Sequence, residues 1–512
     1  MLGEEIGKVS LVGAGPGDPK LITLRGKELL AEADTVIYDY LANPKLLDFL
    51  KEGAEKIYVG KKGGSRSISH QEKINSLMIE AAQAGRQVVR LKGGDPFIFG
   101  RGGEEAEALV SAGIPFEIVP GVSSAIAVPA YAGISLTHRE VASSVAFITG
   151  HEDPHKGGSA LNWAALATSP DTLVVLMGMG NLPAIIAKLV DHGRPPDTPI
   201  ALIQWGSTPS QRTVVGTLET IVARMAEEGL KPPVVMVIGK VVALRAHLNW
   251  YESRPLFGKR VLITRAKDQA IEFNDLLTAC GAEVVPFPTL QIVPPPRWTE
   301  LDAAIRELET YDTIIFTSVN GVRAFRKRLY DLGEDLRLLK GITLCAIGPR
   351  TAQEIEAWGL RVDLVPAEFK AEGVLDVLEK AGIRSRRFLI PRAAEAREIL
   401  PDEIKKRGGE VCVAPAYQAF RPAYDVKQIE SLMTKKRIDV VTFASSSTLR
   451  NFMEIIGEEK VRTWMKARVI ACIGPITAGT AREFGLRVDI IPKKYTFPDL
   501  AASMVDYYRK KE

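Results

Sequence analysis

Short apolar runs alternate with helical patterns along residues 7–245. The runs KVSLVG, TVIYD, KIYVGK, QVVRLKGGDP, VAFITGH, LVVLMG, ALIQWG and VVMVIG are rich in β-branched residues, and most end in turn formers. Patterns such as KLITLRGKELLAEA, with apolar residues at helical spacing, lie between several of them. This alternation predicts α/β architecture with parallel sheets, whose strands release ligand-binding residues at their carboxyl ends. Residues 246–259, AHLNWYESRPLFGK, break the pattern, and Pro255 and Gly258 punctuate them. A fresh strand, RVLITR, follows, so residues 246–257 read as a linker. The remainder repeats itself. IIFTSVNGVRAF (314–325) matches VTFASSSTLRNF (441–452), and AIGPRTAQEIEAWGLRVDLVP (346–366) matches CIGPITAGTAREFGLRVDIIP (472–492). The same order at nearly the same offset predicts two similar α/β lobes, an arrangement that leaves a cleft between them.

Length, composition and charge narrow the class. A chain of 512 residues is too long for one core and suggests about three to four domains. Hydrophobic residues make up 46% and charged residues 25%, as in ordinary soluble proteins. The net charge is +4 without a Lys/Arg block, which argues against nucleic acid as a partner but suits a small polyanionic substrate. No run approaches the ~20 apolar residues of a membrane span. MLGEEIGKVS has no signal-peptide pattern, so a cytoplasmic protein is expected. Cys280, Cys345, Cys412 and Cys472 are widely spaced and form no C-x-x-C, so neither a zinc knuckle nor a disulfide framework is indicated.

The glycine-rich turn VGAGPGDP departs from a dinucleotide fingerprint. Asp18 stands where the third glycine should fall, and Pro16 removes a backbone donor. A different ligand on a similar turn fits better. Gly93, Gly94 and Asp95 follow another strand, where the glycines admit a ligand to the backbone and the carboxylate can meet ribose hydroxyls or an ammonium group. VPGVSSA supplies the hydroxyls of Ser123 and Ser124, and LMGMG supplies Met177, an apolar contact for an adenine face. HEDPH (151–155) satisfies the H-E-x-x-H zinc pattern, but Pro154 and the glycines behind it oppose the helix that pattern needs.

Taken together, VGAGPGDP, VIYD, YVGKKGG, VVRLKGGDPFIFGRGGEEAEAL, GIPFEIVPGVSSA, YAGISLTHR and ITGH resemble the uroporphyrinogen-III C-methyltransferases of the tetrapyrrole methylase family. The resemblance implies two α/β subdomains, 1–120 and 121–245, with S-adenosyl-L-methionine in the cleft between them. It puts Pro16, Gly93, Gly94, Asp95, Ile98, Ser123, Ser124, Met177 and Gly206 at the cofactor, and assigns Asp39 and Lys61 as proton acceptor and donor. The family often has an Arg after that Asp and GKRAG after the third strand; here they are Tyr40 and GKKGG, which changes the local substrate contacts.

VLITRA, FTSVNGV, AIGPRTA, FASSST and CIGPITA, in that order, resemble uroporphyrinogen-III synthase over 258–512. That family implies a two-lobed fold with a two-stranded hinge, one lobe from 258–293 with 418–512 and the other from 294–417. It points to Tyr417 and Thr477 for catalysis, and to Arg265, Ser318 and Ser445 for a carboxylate-rich substrate. Charge-assisted bonds to such carboxylates contribute about 1.5–3 kcal/mol each. The two resemblances imply a bifunctional enzyme. One half closes hydroxymethylbilane to uroporphyrinogen III, and the other methylates it twice to precorrin-2, for sirohaem or cobalamin-type products. No metal is expected, the partners are small tetrapyrroles, and a homodimer through the methyltransferase half is left open. The alternative is a methyltransferase for another tetrapyrrole precursor, carrying a C-terminal tetrapyrrole-binding sensor.

Overall fold

Five runs of the N-terminal half form one sheet: β1 (Val9–Gly13), β2 (Thr35–Tyr38), β3 (Glu55–Tyr58), β4 (Val88–Lys92) and β5 (Phe116–Val119). Their order is β3-β2-β4-β1-β5, and every pairing is parallel. β1 and β4 are buried along their whole length, as strands covered by helices on both faces must be. Helices Leu24–Glu32, Ile68–Gln83 and Gly102–Ser111 connect them. Thr23 caps the first, its hydroxyl accepting from Gly26 N at 3.1 Å. The computed structural model describes residues 6–60, 68–151, 159–265, 270–395, 399–422, 424, 426–435 and 438–511.

β6 (Val145–Thr149), β7 (Thr172–Leu176), β8 (Pro199–Gln204), β9 (Arg212–Thr217) and β10 (Val234–Ile238) form the next sheet, in the order β6-β7-β10-β8-β9. Here the expectation of a parallel sheet fails. Only β6 and β7 run parallel, whereas β10 is antiparallel to both β7 and β8, and β8 is antiparallel to β9. The turn GSTPS joins β8 directly to β9 without a crossover helix, so the second strand has to return antiparallel.

The segment 246–257, expected as a linker, is packed. Tyr251 is 5% exposed and Leu256 fully buried. The Tyr251 ring meets Tyr131 edge-on at 4.7 Å, and Trp250 Nε1 donates to the carbonyl of Ala130 at 2.9 Å. Periodicity missed this because the segment is anchored by single aromatic rings and one carboxylate rather than by a helical stripe. The chain accordingly divides just beyond it, into one unit comprising Met1–Arg260, Leu277–Glu283 and Tyr508–Glu512, and another comprising Val261–Leu276 and Val284–Tyr507.

The remaining strands are β11 (Arg260–Ile263), β12 (Glu283–Pro286), β13 (Gln291–Val293), β14 (Thr313–Phe316), β15 (Thr343–Ala346), β16 (Arg387–Ala393), β17 (Glu410–Phe420), β18 (Val440–Phe443) and β19 (Val469–Cys472). They form two sheets, β12-β11-β18-β19 and β13-β17-β16-β14-β15. β17 pairs in parallel with β16 along its first part and then antiparallel with β13 through residues 418–420. That short ladder is where the chain passes between the two lobes. The internal repeat is visible in detail. Ser318 and Ser445 cap equivalent helices with nearly identical backbone angles. Asp363 and Asp489 each accept from a strand N–H, of Leu344 and Ile470 respectively. Burial pushes the thiols of Cys345 and Cys472 up to about 12, in keeping with their place in the two cores.

Candidate active sites

Because the first sheet is wholly parallel, the turns after β1, β4 and β5 leave from one edge. They are joined to each other through the backbone. Gly15 N donates to Gly94 O at 3.2 Å, and Gly94 N returns a bond to Gly15 O at 2.8 Å. A Cβ on Gly121 would lie 2.3 Å from Gly94 O and 2.7 Å from Gly13 Cα, so only glycine allows this approach. Pro16, Gly93, Gly94, Ser123 and Ser124 are thereby gathered at one place. Ser123 is buried and caps the helix Ser124–Tyr131, accepting from Ala125 N at 3.3 Å. Ile98 is exposed beside Phe97 and Phe99, giving that edge an apolar surface.

Asp95, expected to meet ribose hydroxyls or an ammonium group, also braces these turns. Oδ1 accepts from the N–H groups of Phe97 and Ile98 at 2.8 and 3.1 Å, and Oδ2 accepts from Gly121 N at 3.0 Å. Its carboxylate staples the second turn to the third.

Met177 and Gly206 belong to the second sheet. Leu176 and Ile203 both face Val235 of β10, so β7 and β8 end at the same level. Their terminal turns therefore leave one edge with a single strand between them, about 10 Å apart. The hydrogen bonds that join the first-sheet turns do not extend to Met177. The turn after β8 does reach the first: Asp18 N donates to Ser207 Oγ at 3.3 Å. Gly206 lies against the helix Ser124–Tyr131, where a Cβ would come within 2.3 Å of Val128.

Six non-glycine residues have positive φ among those described, and five of them lie in these turns: Phe99, Arg101, Met177, Trp205 and Ser207. Each costs about 1–2 kcal/mol relative to ordinary backbone. Such concentration of strain is a feature of binding sites.

Asp39 leaves the same carboxyl edge, directly after β2. Its Oδ1 accepts from Arg90 Nη2 at 2.7 Å. Arg90 Nε also lies 3.2 Å from Glu105 Oε1, and Lys92 Nζ lies 2.8 Å from Glu105 Oε2. Gln71 Nε2 donates to Glu105 as well, at 3.2 Å. Arg90, Lys92 and Glu105 are all buried. Burial works against the Arg90 charge, yet Asp39 and Glu105 outweigh it and its pKa is raised. Lys92 is lowered, first by burial and then by Arg90. Sequence reasoning missed this group. The signal was a pair of cations two apart in an otherwise apolar strand, VVRLK, which puts both on one face. Tyr40, where the family often carries Arg, meets Trp205 edge-on at 5.9 Å. Lys61 lies outside the described residues, as do residues 152–158 of the HEDPH region. His151 is exposed. Since Pro154 opposes a zinc-binding helix, EDTA is expected to leave methyl transfer within twofold of its untreated rate, and loss restored by zinc would contradict that.

In the second unit, Ser318 and Tyr417 come together. Their hydroxyl oxygens are 3.0 Å apart, while Ser318 Oγ also accepts from Gly321 N at 3.0 Å. Ser445 forms a capping box with Thr448 at the start of helix Ser446–Ile456. That helix start is linked to the neighbouring helix Pro475–Glu483 by Thr480 Oγ1 donating to Ser446 Oγ at 2.8 Å. Thr477, expected to be catalytic, lies in the first turn of that second helix and is 4% exposed. Arg265 has its guanidinium 4.9 Å from the centroid of the Phe497 ring. Burial and then the charge of Arg350 lower its pKa. Two cations that repel each other make a favourable place for carboxylates. Arg350 escaped the sequence reading because its repeat counterpart is Ile476.

Residues 8–222 match the tetrapyrrole (corrin/porphyrin) methylases, and residues 271–502 match uroporphyrinogen-III synthase HemD. The porphyrin biosynthesis protein HemD of Ruminiclostridium josui is 34% identical over 504 residues, covering 98% of this chain and 98% of its own. The S-adenosyl-L-methionine-dependent uroporphyrinogen III methyltransferase of Methanosarcina barkeri is 52% identical over 238 residues, 46% of this chain and 93% of its own. A crystal structure of uroporphyrin-III C-methyl transferase from Thermus thermophilus, complexed with S-adenyl homocysteine, is 42% identical. It covers 46% of this chain and 100% of that one, with a TM-score of 0.40.

Proposed function

Because the chain belongs to the tetrapyrrole methylases in its N-terminal half and to the uroporphyrinogen-III synthases in its C-terminal half, we propose that it makes uroporphyrinogen III from hydroxymethylbilane and methylates it twice to precorrin-2. The observation that carries this reading is the likeness to a porphyrin biosynthesis protein along 98% of both chains. No helix among the described residues is long and apolar enough to cross a membrane.

The linked turns of the first unit suit S-adenosylmethionine. Glycine backbone and strained turns accept a close ligand, and Ile98 and Met177 offer apolar surface. Bound there, S-adenosylmethionine supplies an electrophilic methyl on its sulfonium. The protein's part is to orient an electron-rich pyrrole carbon toward it, which accounts for much of the rate in such reactions. Asp39 is placed to take the proton that the methylated carbon loses. Arg90 bonds Oδ1, which leaves Oδ2 to serve as the acceptor. The same carboxylate stabilises positive charge spread over the macrocycle.

In the second unit, Ser318 and Tyr417 form a hydroxyl pair, and Arg265 with Arg350 supplies positive charge for the substrate's carboxylates. Synthesis of the type III isomer then depends on favouring one ring-closure geometry. Each tenfold of selectivity needs only about 1.4 kcal/mol.

Incubation of the full chain with uroporphyrinogen III and isotopically labelled S-adenosylmethionine tests the methylation. The expected product carries two labelled methyl groups. A product with one, or with none while another tetrapyrrole is methylated, would overturn the assignment.

A further inference from the structure

Glu252 lies in the segment that sequence periodicity marks as a linker, yet its carboxylate is built into the first unit. Oε1 accepts from Gln211 Nε2 at 2.7 Å and from Thr213 Oγ1 at 2.6 Å, while Oε2 pairs with Arg245 Nη2. Gln211 is buried, and its amide is fully engaged. Nε2 also donates to the carbonyl of Tyr131 at 3.2 Å, and Oε1 accepts from Ser207 N at 2.8 Å. The Glu252 carboxylate and the Tyr131 carbonyl both demand a donor, so they determine which end of the amide is nitrogen. The oxygen end is thereby turned to Ser207.

Ser207 and Trp205 flank Gly206 and have φ values of 61° and 48°. This left-handed turn is strained and needs outside support. Ser207 in turn holds Asp18 N through its hydroxyl, at 3.3 Å. A parallel line of contacts runs from Tyr251, packed on the Tyr131 ring, to Asp18 Oδ2, which accepts from Tyr131 Oη at 2.9 Å. Two routes therefore connect residues 251–252 to the turn that begins at Pro16.

We propose that Glu252 is a positioning residue for S-adenosylmethionine: it sets the Gln211 amide, which holds the 205–207 turn against the Pro16–Asp18 turn. This rests on the reading of that edge as the S-adenosylmethionine site. The ion pair with Arg245 is a separate, stabilising role, and the two can be told apart by substitution.

The test uses the full chain, with S-adenosylhomocysteine affinity by calorimetry, the KM for each substrate of methylation, and the melting temperature. E252A is expected to weaken S-adenosylhomocysteine binding about tenfold and raise the KM for S-adenosylmethionine similarly, with the KM for uroporphyrinogen III within twofold of the parent. R245M keeps Glu252 on Gln211, so it should lower the melting temperature while leaving affinity within twofold. The pair R245M/E252Q returns an uncharged acceptor to Gln211 and should restore affinity. Should E252A not fold, Q211M breaks the same link at its centre and carries the same expectation. The proposal is overturned if E252A or Q211M folds and binds like the parent, or if affinity falls in step with melting temperature in both E252A and R245M. Absence of binding by the parent protein would instead overturn the site assignment itself.

Discussion

Asp39→Asn lowers the methylation rate about 10²–10⁴-fold, the usual contribution of a general base, with S-adenosylhomocysteine affinity nearly unchanged. The substitution keeps the shape and a hydrogen-bond acceptor for Arg90, but removes the charge and basicity on the substrate side. Arg90→Met should reach a similar rate loss by another route. It frees Asp39 from its 2.7 Å bond and leaves buried Glu105 to Lys92 and the Gln71 amide. Removing one partner of a buried ion pair costs about 3–5 kcal/mol of stability. The two variants therefore separate by degree: Asp39→Asn keeps an acceptor on Arg90 and lowers the melting temperature less for its loss of turnover, whereas Arg90→Met lowers it more. Single-turnover methyl transfer and thermal melting, measured together, check this. Unchanged turnover in Asp39→Asn would remove Asp39 from the chemistry.

Tyr251→Ala should destabilise the first unit by about 3–5 kcal/mol, the range for deleting a large buried aromatic side chain. At roughly 2–4 °C per kcal/mol for a unit of this size, its melting transition drops by about 6–20 °C. The ring is 5% exposed, packs on Tyr131, Trp250 and Phe257, and faces the guanidinium of Arg254 at 4.9 Å. Synthase turnover should remain within twofold, because its residues belong to the other unit. Calorimetric scanning of the full chain measures the shift. A change under 2 °C would mean that residues 246–257 are the linker their sequence suggests.

What could be read from the sequence was mostly what glycine, proline and repetition make explicit. Gly93 and Gly94 mark a turn where a ligand can approach the backbone, and in the structure Gly94 exchanges backbone hydrogen bonds with Gly15 and its carbonyl lies against Gly121. The repeat around Ser318 and Ser445 reappears as two equivalent helix caps. The two-stranded crossing emerges as β13 against the end of β17. What stayed hidden depends on partners far apart in sequence. Nothing near Asp95 reveals that Gly121 N will claim one of its oxygens. Nothing near Asp39 reveals Arg90, because the pairing follows from the β2–β4 ladder. Glu252 sits in a stretch with no period, and its role comes from Gln211, Thr213 and Arg245 meeting around one carboxylate.

The full chain, given hydroxymethylbilane and S-adenosylmethionine together, should yield a dimethylated tetrapyrrole of the type III series, identified by mass and by isomer analysis after oxidation. Withholding S-adenosylmethionine should leave uroporphyrinogen III, with little of the type I isomer that closes spontaneously. Accumulation of the type I isomer alone, or of type III that never gains a methyl group, would contradict the two-activity account.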